Sequence, residues 1–337
     1  MLPRGRSPEH ESGEAPLGIV FLIQEVVMFG DRAIAVVVPA YNEERHIADT
    51  VNGVPPFVDY IVVVDDKSLD GTAEVVLGLD DDRIDFIRHE TNTGVGGAII
   101  TGHLRALDLG SQVNVVLAGD DQMDPAELPK LLAPIIEDGY GFTKGNRLYS
   151  RTSAQGMSAF RIAANMFLTF VNKASSGYWN LVDPQNGYTA VTREALELIP
   201  LDRVSQRYEF ENDLLIWLNI ADVRAKDVSI PARYHSEVSS IRLHRDVPRM
   251  LWLLFRGFWR RMWLKYTIWS FSPVALLFFL GIMTLGVGLV AGIWTTVIAL
   301  QGTSPSAGTT VLSVVPFFCG FVLLVQALVL DIQASPD

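Results

Sequence analysis

The chain has 337 residues, 49% of them apolar, and carries a net charge of −11 from 38 acidic and 27 basic side chains. That length supports one large domain or two ordinary ones, and the acidic balance argues against a nucleic-acid partner, whose phosphate backbone requires clustered Lys and Arg. The single cysteine, Cys319, excludes a disulfide framework and a cysteine-based metal site.

Residues 1–29 run through an acidic, Ser- and Pro-containing stretch into an apolar segment from Ala15 to Ile23. That segment is too short to span a bilayer, and it lacks the basic start of a signal peptide. The region reads as a dispensable extension, which a start at Met28 would remove. From Ala33 onward, short Val/Ile runs alternate with helical patterns. Ile34 to Pro39, Tyr60 to Val64, Ile84 to Arg88 and Val113 to Leu117 are predicted strands; Glu44 to Val54, Gly71 to Leu79, Gly94 to Leu109 and Pro125 to Glu137 are predicted helices. Apolar strands separated by helices indicate an α/β fold with a mostly parallel sheet covered on both faces. Ligands of such sheets sit outside the carboxyl ends of the strands. A polar cluster follows each of the four strands here: PAYNEE, DDKSLDGT, TNTGVGG and AGDDQMDP. Four clusters at one edge predict a site, and there is no internal repeat.

Between Lys265 and Asp331 there is no charged side chain. Phe271 to Leu300 and Val311 to Leu330 are each long enough to cross a hydrocarbon core, and the segment QGTSPSAGTT separates them. Upstream, Arg249, Arg256, Arg260, Arg261 and Lys265 interleave with Trp252, Phe255, Trp259, Trp263 and Trp269. A basic, aromatic-rich helix lies in a membrane interface, and positive charge before the first span predicts a large domain on the cytoplasmic side.

The segments VVVPAYNEE, VVVDDKSLDGT, NTGVGGAIITG, GDDQMDP and DPQNGYTAV, in this order and at these spacings, resemble the family-2 glycosyltransferases. Within them the chain is most similar to polyprenyl-phosphate (dolichyl-phosphate) hexose synthases, and in AGDDQMDP and DPQNGYTA to archaeal dolichyl-phosphate glucose synthases. The resemblance implies a GT-A nucleotide-sugar-binding domain over residues 30–240, an interfacial region over 241–270 and two C-terminal membrane helices within 271–332. The rival reading of GVGG as a dinucleotide fingerprint fails, because the third glycine position is Ile99 and the segment follows the third strand rather than the first.

By that resemblance, Pro39, Ala40, Tyr41, Glu43 and Asp66 clasp the base and ribose of a UDP- or GDP-hexose donor. A carboxylate can accept from a pyrimidine N–H, and a tyrosine offers apolar surface with a hydroxyl. The donor diphosphate is held through Mg²⁺ or Mn²⁺ by Asp120 and Gln122, oxygen ligands that suit a hard cation. Ala118 stands where relatives carry a first Asp, so one anionic ligand is missing. Asp65 and Asp70 are read as turn and cap residues, and Asp124–Pro125 as an N-cap with first helical position. Arg147, Arg161 and Asn165 match positions that bind acceptor and donor phosphates, for which guanidinium forks are suited. Asp183 is the family's candidate base. Because a lipid phosphate is largely ionised at neutral pH, Asp183 equally reads as a residue that orders its loop or an arginine. Glu209, Glu211 and Asp213 open a helix where acids favour the dipole, with a base role as the alternative. Arg233, His235 and Arg242 fall where the family places a phosphate-contacting loop. The implied reaction is inverting transfer of a hexose, glucose from UDP-glucose first, to a polyprenyl phosphate, by an enzyme with membrane-lipid contact and a homotetrameric assembly. A processive polysaccharide synthase would carry a Q-x-x-R-W motif, which is not found here; a membrane scaffold that binds nucleotide sugar without turnover is the other alternative.

Overall fold

The computed structural model describes residues 32–146, 159–183, 186–231 and 243–336, with the side chains of 159–165 and 243–246 outside that description. Four strands, β1 (Ile34–Ala40), β2 (Tyr60–Asp65), β3 (Ile84–Arg88) and β4 (Val113–Val116), pair in parallel and fall where the Val/Ile runs place them. β1 has IAVVVPA buried on both faces, which is why its sequence reads as a continuous apolar run rather than an alternation. Three further strands, β5 (Phe142–Asn146), β6 (Thr189–Thr192) and β7 (Ala225–Ser229), complete a seven-stranded sheet in the order β3-β2-β1-β4-β6-β5-β7. β6 alone runs against its neighbours β4 and β5, and β7 pairs parallel to β5.

Helices α1 (Ile47–Asn52), α2 (Thr72–Leu77), α3 (Val95–Asp108) and α4 (Leu128–Glu137) connect the first strands. Asp124 caps a 3₁₀ turn ahead of α4, accepting from Ala126 N at 3.0 Å with Pro125 next in line. Asp70 similarly accepts from Thr72 N at 3.1 Å at the head of α2. Beyond β5 come α5 (Ala159–Ser176), α6 (Arg193–Glu197) and α7 (Phe210–Ile220). One apolar cluster joins α7, β5 and β6 to Met250 and Leu254 of α8 (Leu243–Trp263), while another lies under α1 and α4. Each buries a large side-chain set, the dominant favourable term in folding.

Along α8 the two faces differ. Met250, Leu254, Gly257 and Arg261, spaced by three and four residues, turn inward, whereas Trp252, Phe255, Trp259 and Trp263 are exposed. A π-helical turn over Leu264–Trp269 redirects the chain into α9 (Pro273–Leu300), which Ser272 caps through Val274 N. α10 (Ala307–Gln333) returns antiparallel, and both helices are long and apolar enough to cross a membrane. The pair is packed closely enough that a side chain at Gly320 would meet the backbone of Leu285.

Candidate active site

Two loops at the carboxyl edge of the sheet are laced together. Asn42, held at φ 61°, donates its N–H to Ser68 Oγ (2.9 Å) and accepts from Leu69 N (2.8 Å). Glu43 N donates to Thr72 Oγ1 at 2.9 Å, and Gly71 N to the Glu44 carboxylate at 3.1 Å. Asp65 closes the second loop by accepting from Ser68 N at 2.8 Å and pairing with Arg88 at 3.1 Å. The result is a fixed rim around a cavity of about 370 Å³.

Pro39, Ala40, Tyr41, Glu43, Asp66 and Asp120 all line this cavity, so the structure brings together six of the residues singled out in the sequence. Asn92, Gly94, Val95 and Ala118 complete much of the wall. Asp66 is buried, and its carboxylate accepts from Thr93 N (2.8 Å), Thr93 Oγ1 (3.0 Å), Gly94 N (2.7 Å) and His89 Nδ1 (2.8 Å). A carboxylate has about four acceptor sites, so Asp66 first of all shapes the 89–94 turn, leaving Oδ2, with one bond, as the oxygen open to a ligand. Two amides of the GVGG segment are likewise committed, Gly94 N to Asp66 and Gly97 N to Gln206 O at 2.8 Å. Gly94 sits at φ 96° against Gln206, a backbone that a side chain would strain.

Asp120 reaches the cavity from the loop after β4. Its Oδ1 accepts from Gln122 N at 3.1 Å, and Asp121 turns the chain through φ 55°. Ala118 N donates to Met123 Sδ at 3.2 Å, which folds the loop back on itself. Gln122 is not among the residues that line the cavity. No group of three His, Cys, Asp or Glu able to hold a metal occurs among the described residues. The donor set still fits a hard cation, since Mg²⁺ takes one or two protein carboxylates and fills its shell with phosphate oxygens and water.

A second polar cluster adjoins the first. Asp183 is buried at the start of the DPQNGY loop. Lys144, fully buried on β5, donates to Asn186 O at 2.5 Å, and Asn186 Nδ2 donates to Gly145 O at 2.7 Å. Tyr188 OH donates to Asp124 O at 2.8 Å, tying this loop to the one carrying Asp120. A Cβ at Gly187 would meet Met123 at 3.3 Å and the Glu211 carboxylate at 3.6 Å. Burial pushes the Glu211 carboxyl above its ordinary range, against the charge of Lys144, which favours the ionised form. Burial also raises Asp227, opposed by a hydrogen bond from Val182 N at 2.7 Å and by Lys144. Lys144, Asn186 and Asp227 escaped the sequence reading. The signal available was a lysine in the run Phe142–Asn146, a position that only the strand's burial on both faces makes unusual.

Arg147, Arg151, Arg233, His235 and Arg242 lie outside the described residues, and Arg161 and Asn165 are placed only by backbone, on the first two turns of α5. Glu209 and Asp213 turn away from Glu211: Glu209 pairs with Arg249 at 3.6 Å, and Asp213 binds Arg260 and accepts from Ser205 N at 2.9 Å.

The family model for Glycosyl transferase family 2 matches residues 35–199. A relative from Methanococcus voltae, the UDP-N-acetylglucosamine–dolichyl-phosphate N-acetylglucosaminyltransferase, is 31% identical over 218 residues, covering 59% of this chain and 86% of its own. The chain belongs to glycosyl transferase family 2. This family-2 chain is also similar to the polyprenol monophosphomannose synthase of Mycolicibacterium smegmatis, at 31% identity over 53% of the chain and 69% of that protein. Among solved structures, glucosyl-3-phosphoglycerate synthase from Mycobacterium tuberculosis, in complex with Mn²⁺, UDP-glucose and phosphoglyceric acid, shares the fold with a TM-score of 0.50 and 21% identity, covering 75% of this chain and 85% of that one. The GT-A architecture expected from the family is thus the one observed, and the cavity at Pro39, Asp66 and Asp120 lies at its strand-end edge.

Proposed function

We propose that this glycosyltransferase moves a sugar from a nucleotide-sugar donor to the phosphate of a polyprenyl (dolichyl) phosphate at a membrane surface, with inversion at the anomeric carbon. One observation carries the reading: the cavity that gathers Pro39, Tyr41, Asp66 and Asp120 belongs to a domain joined to two helices apolar enough to span a bilayer. A water-soluble acceptor gives no reason for that attachment, whereas a lipid phosphate lies at the interface. The named activities of the relatives from Methanococcus voltae and Mycolicibacterium smegmatis support the same acceptor class.

The donor is proposed to be UDP-glucose, on the similarity of AGDDQMDP and DPQNGYTA to glucose synthases. Tyr41, 45% exposed at the rim, supplies an apolar face for the base, and Asp66 Oδ2 an acceptor for its N–H. Asp120, with Gln122, would hold Mg²⁺ or Mn²⁺, which when bound neutralises the charge of the departing diphosphate. Arg147, Arg161 and Asn165 hold and aim the lipid phosphate. Its oxygen is already ionised, so attack requires orientation more than proton removal. Asp183, whose backbone O accepts from Asn186 N at 3.4 Å, orders the acceptor loop, which Tyr188 ties to the Asp120 loop. The catalytic domain faces the cytoplasm, with the exposed aromatic face of α8 in the interface.

The experiment mixes membranes containing the full chain with Mg²⁺ or Mn²⁺, a polyprenyl phosphate and, in separate reactions, UDP-glucose, UDP-N-acetylglucosamine and GDP-mannose. Glycolipid is then detected by mass spectrometry. Polyprenyl-phospho-glucose, lost in Asp120→Ala, is the expected result. Product from a different donor corrects the sugar alone; nucleotide-sugar binding without any glycolipid overturns the transferase reading.

A further inference from the structure

A second cavity, of about 370 Å³, opens between the loop before α7 and the helix α8. Five guanidiniums converge on it, from Arg203, Arg207, Arg249, Arg256 and Arg260, in a chain that is acidic overall. Only two carboxylates answer them. Glu209 pairs with Arg249, and Asp213 with Arg260, whose guanidinium also lies 4.2 Å from the Trp217 ring centre. Arg203, Arg207 and Arg256 have no carboxylate partner among the described residues. Three positive charges that no described carboxylate answers, set in a concave site, attract an anion, and guanidinium forks match phosphate oxygens.

The wall opposite the loop carries one ring among its arginines. Trp252 lines the cavity, is 60% exposed and stacks on Phe255 at 5.8 Å. A soluble phosphate has no use for such a surface. An amphiphile does, because its headgroup meets the arginines while its chains follow the exposed rings into the interface.

We propose that this cavity binds the phosphate headgroup of an anionic bilayer phospholipid. On the proposed function, the acceptor loop that carries Gly187 lies on the other side of the first turn of α7. Glu209 and Asp213, four residues apart, face the arginines, whereas Glu211 faces Gly187 and Lys144. The bound lipid would also steady the 205–207 loop, whose Gln206 O receives Gly97 N beside the donor cavity.

The test uses native mass spectrometry of the full chain in detergent, with dioleoyl phosphatidylglycerol, dioleoyl phosphatidylcholine, undecaprenyl phosphate and inorganic phosphate in separate arms. Wild type is compared with Arg203→Gln/Arg207→Gln/Arg256→Gln. Phosphatidylglycerol should stay bound to wild type and phosphatidylcholine should not. The triple variant should bind phosphatidylglycerol about a hundredfold more weakly, taking roughly one interfacial charge contribution per arginine, with its melting midpoint and its undecaprenyl phosphate binding unchanged. Equal retention of phosphatidylglycerol by both proteins overturns the proposal. So does loss of undecaprenyl phosphate binding in the variant, which would make the cavity an acceptor site, or binding of inorganic phosphate by wild type that the variant loses, which would make it a site for a soluble anion.

Discussion

Arg261 and Asp331 form a buried bidentate ion pair, with Nη1–Oδ1 at 2.5 Å and Nη2–Oδ2 at 2.9 Å, across 70 residues of sequence. Around it, Arg261 donates to Ser175 O (3.2 Å) and Ala174 O (2.8 Å), while Tyr266 and Trp179 donate to the same carboxylate. One carboxylate at the end of α10 therefore joins α5 and the loop after it to α8 and the apolar helical hairpin. Removing it strands a buried guanidinium. Asp331→Ala should lose about 3–5 kcal/mol of stability, read as a drop in the melting midpoint in detergent, whereas Arg261→Met/Asp331→Leu should lose less than that single variant.

His103 lies on α3 with no exposure and, among the described residues, no hydrogen-bond partner for either ring nitrogen, and burial lowers its pKa from 6.5 to about 4. The folded protein refuses a proton that the unfolded chain accepts. Stability from this group is complete above pH 6.5 and is lost as pH falls towards 4, by about 3 kcal/mol in full. In His103→Met, the fall in melting midpoint between pH 6.5 and 4 should be correspondingly shallower.

Glu211 acts in the opposite sense. Its carboxyl is raised above 4.5, so within that window the folded protein holds a proton the unfolded chain has released, and stability falls as pH rises. Glu211→Gln should remove this slope, which a series of melting midpoints from pH 4 to 8 would detect. Lys144→Met should do the reverse, deepening the loss near neutral pH because Glu211 and Asp227 both lose a cation that favours their ionised forms.

Chelation with EDTA should abolish sugar transfer, and Mg²⁺ or Mn²⁺ should restore it. Asp120→Asn should reduce kcat/KM by at least a hundredfold, in line with roughly 3 kcal/mol for one positioned electrostatic contact in a transition state. Restored activity in Asp120→Asn at ordinary metal concentration would show that another group bears the ion.

The strands and the donor rim were legible because their signals are local: Val/Ile runs for β1 and β2, turn residues for the loops after them. The return of β6 between β4 and β5 was not, since it pairs segments about 75 residues apart on the β4 side and about 47 on the β5 side, and local pattern carries no information about it. Lys144 and Asn186 meet only through that pairing. Asp331 was legible merely as the end of an uncharged run, and its partner Arg261 as one of several interfacial cations; the contact between them exists only once the hairpin has folded back.

The chain beyond α10 continues to the sheet, where Ala225 N of the edge strand β7 donates to Pro336 O at 3.4 Å and Trp179 N to Ser335 Oγ at 3.3 Å. Both feet of the hairpin are thus moored to the same rigid body, one through α8 and one through Asp331 and Ser335. A domain on a single tether would swing and sample many heights above the lipid. With the hairpin across a bilayer, two moorings restrict tilt and elevation more than one would, so a fused segment that pulled Ser335 away should alter the distance from donor cavity to headgroup plane before it touched any residue of the cavity.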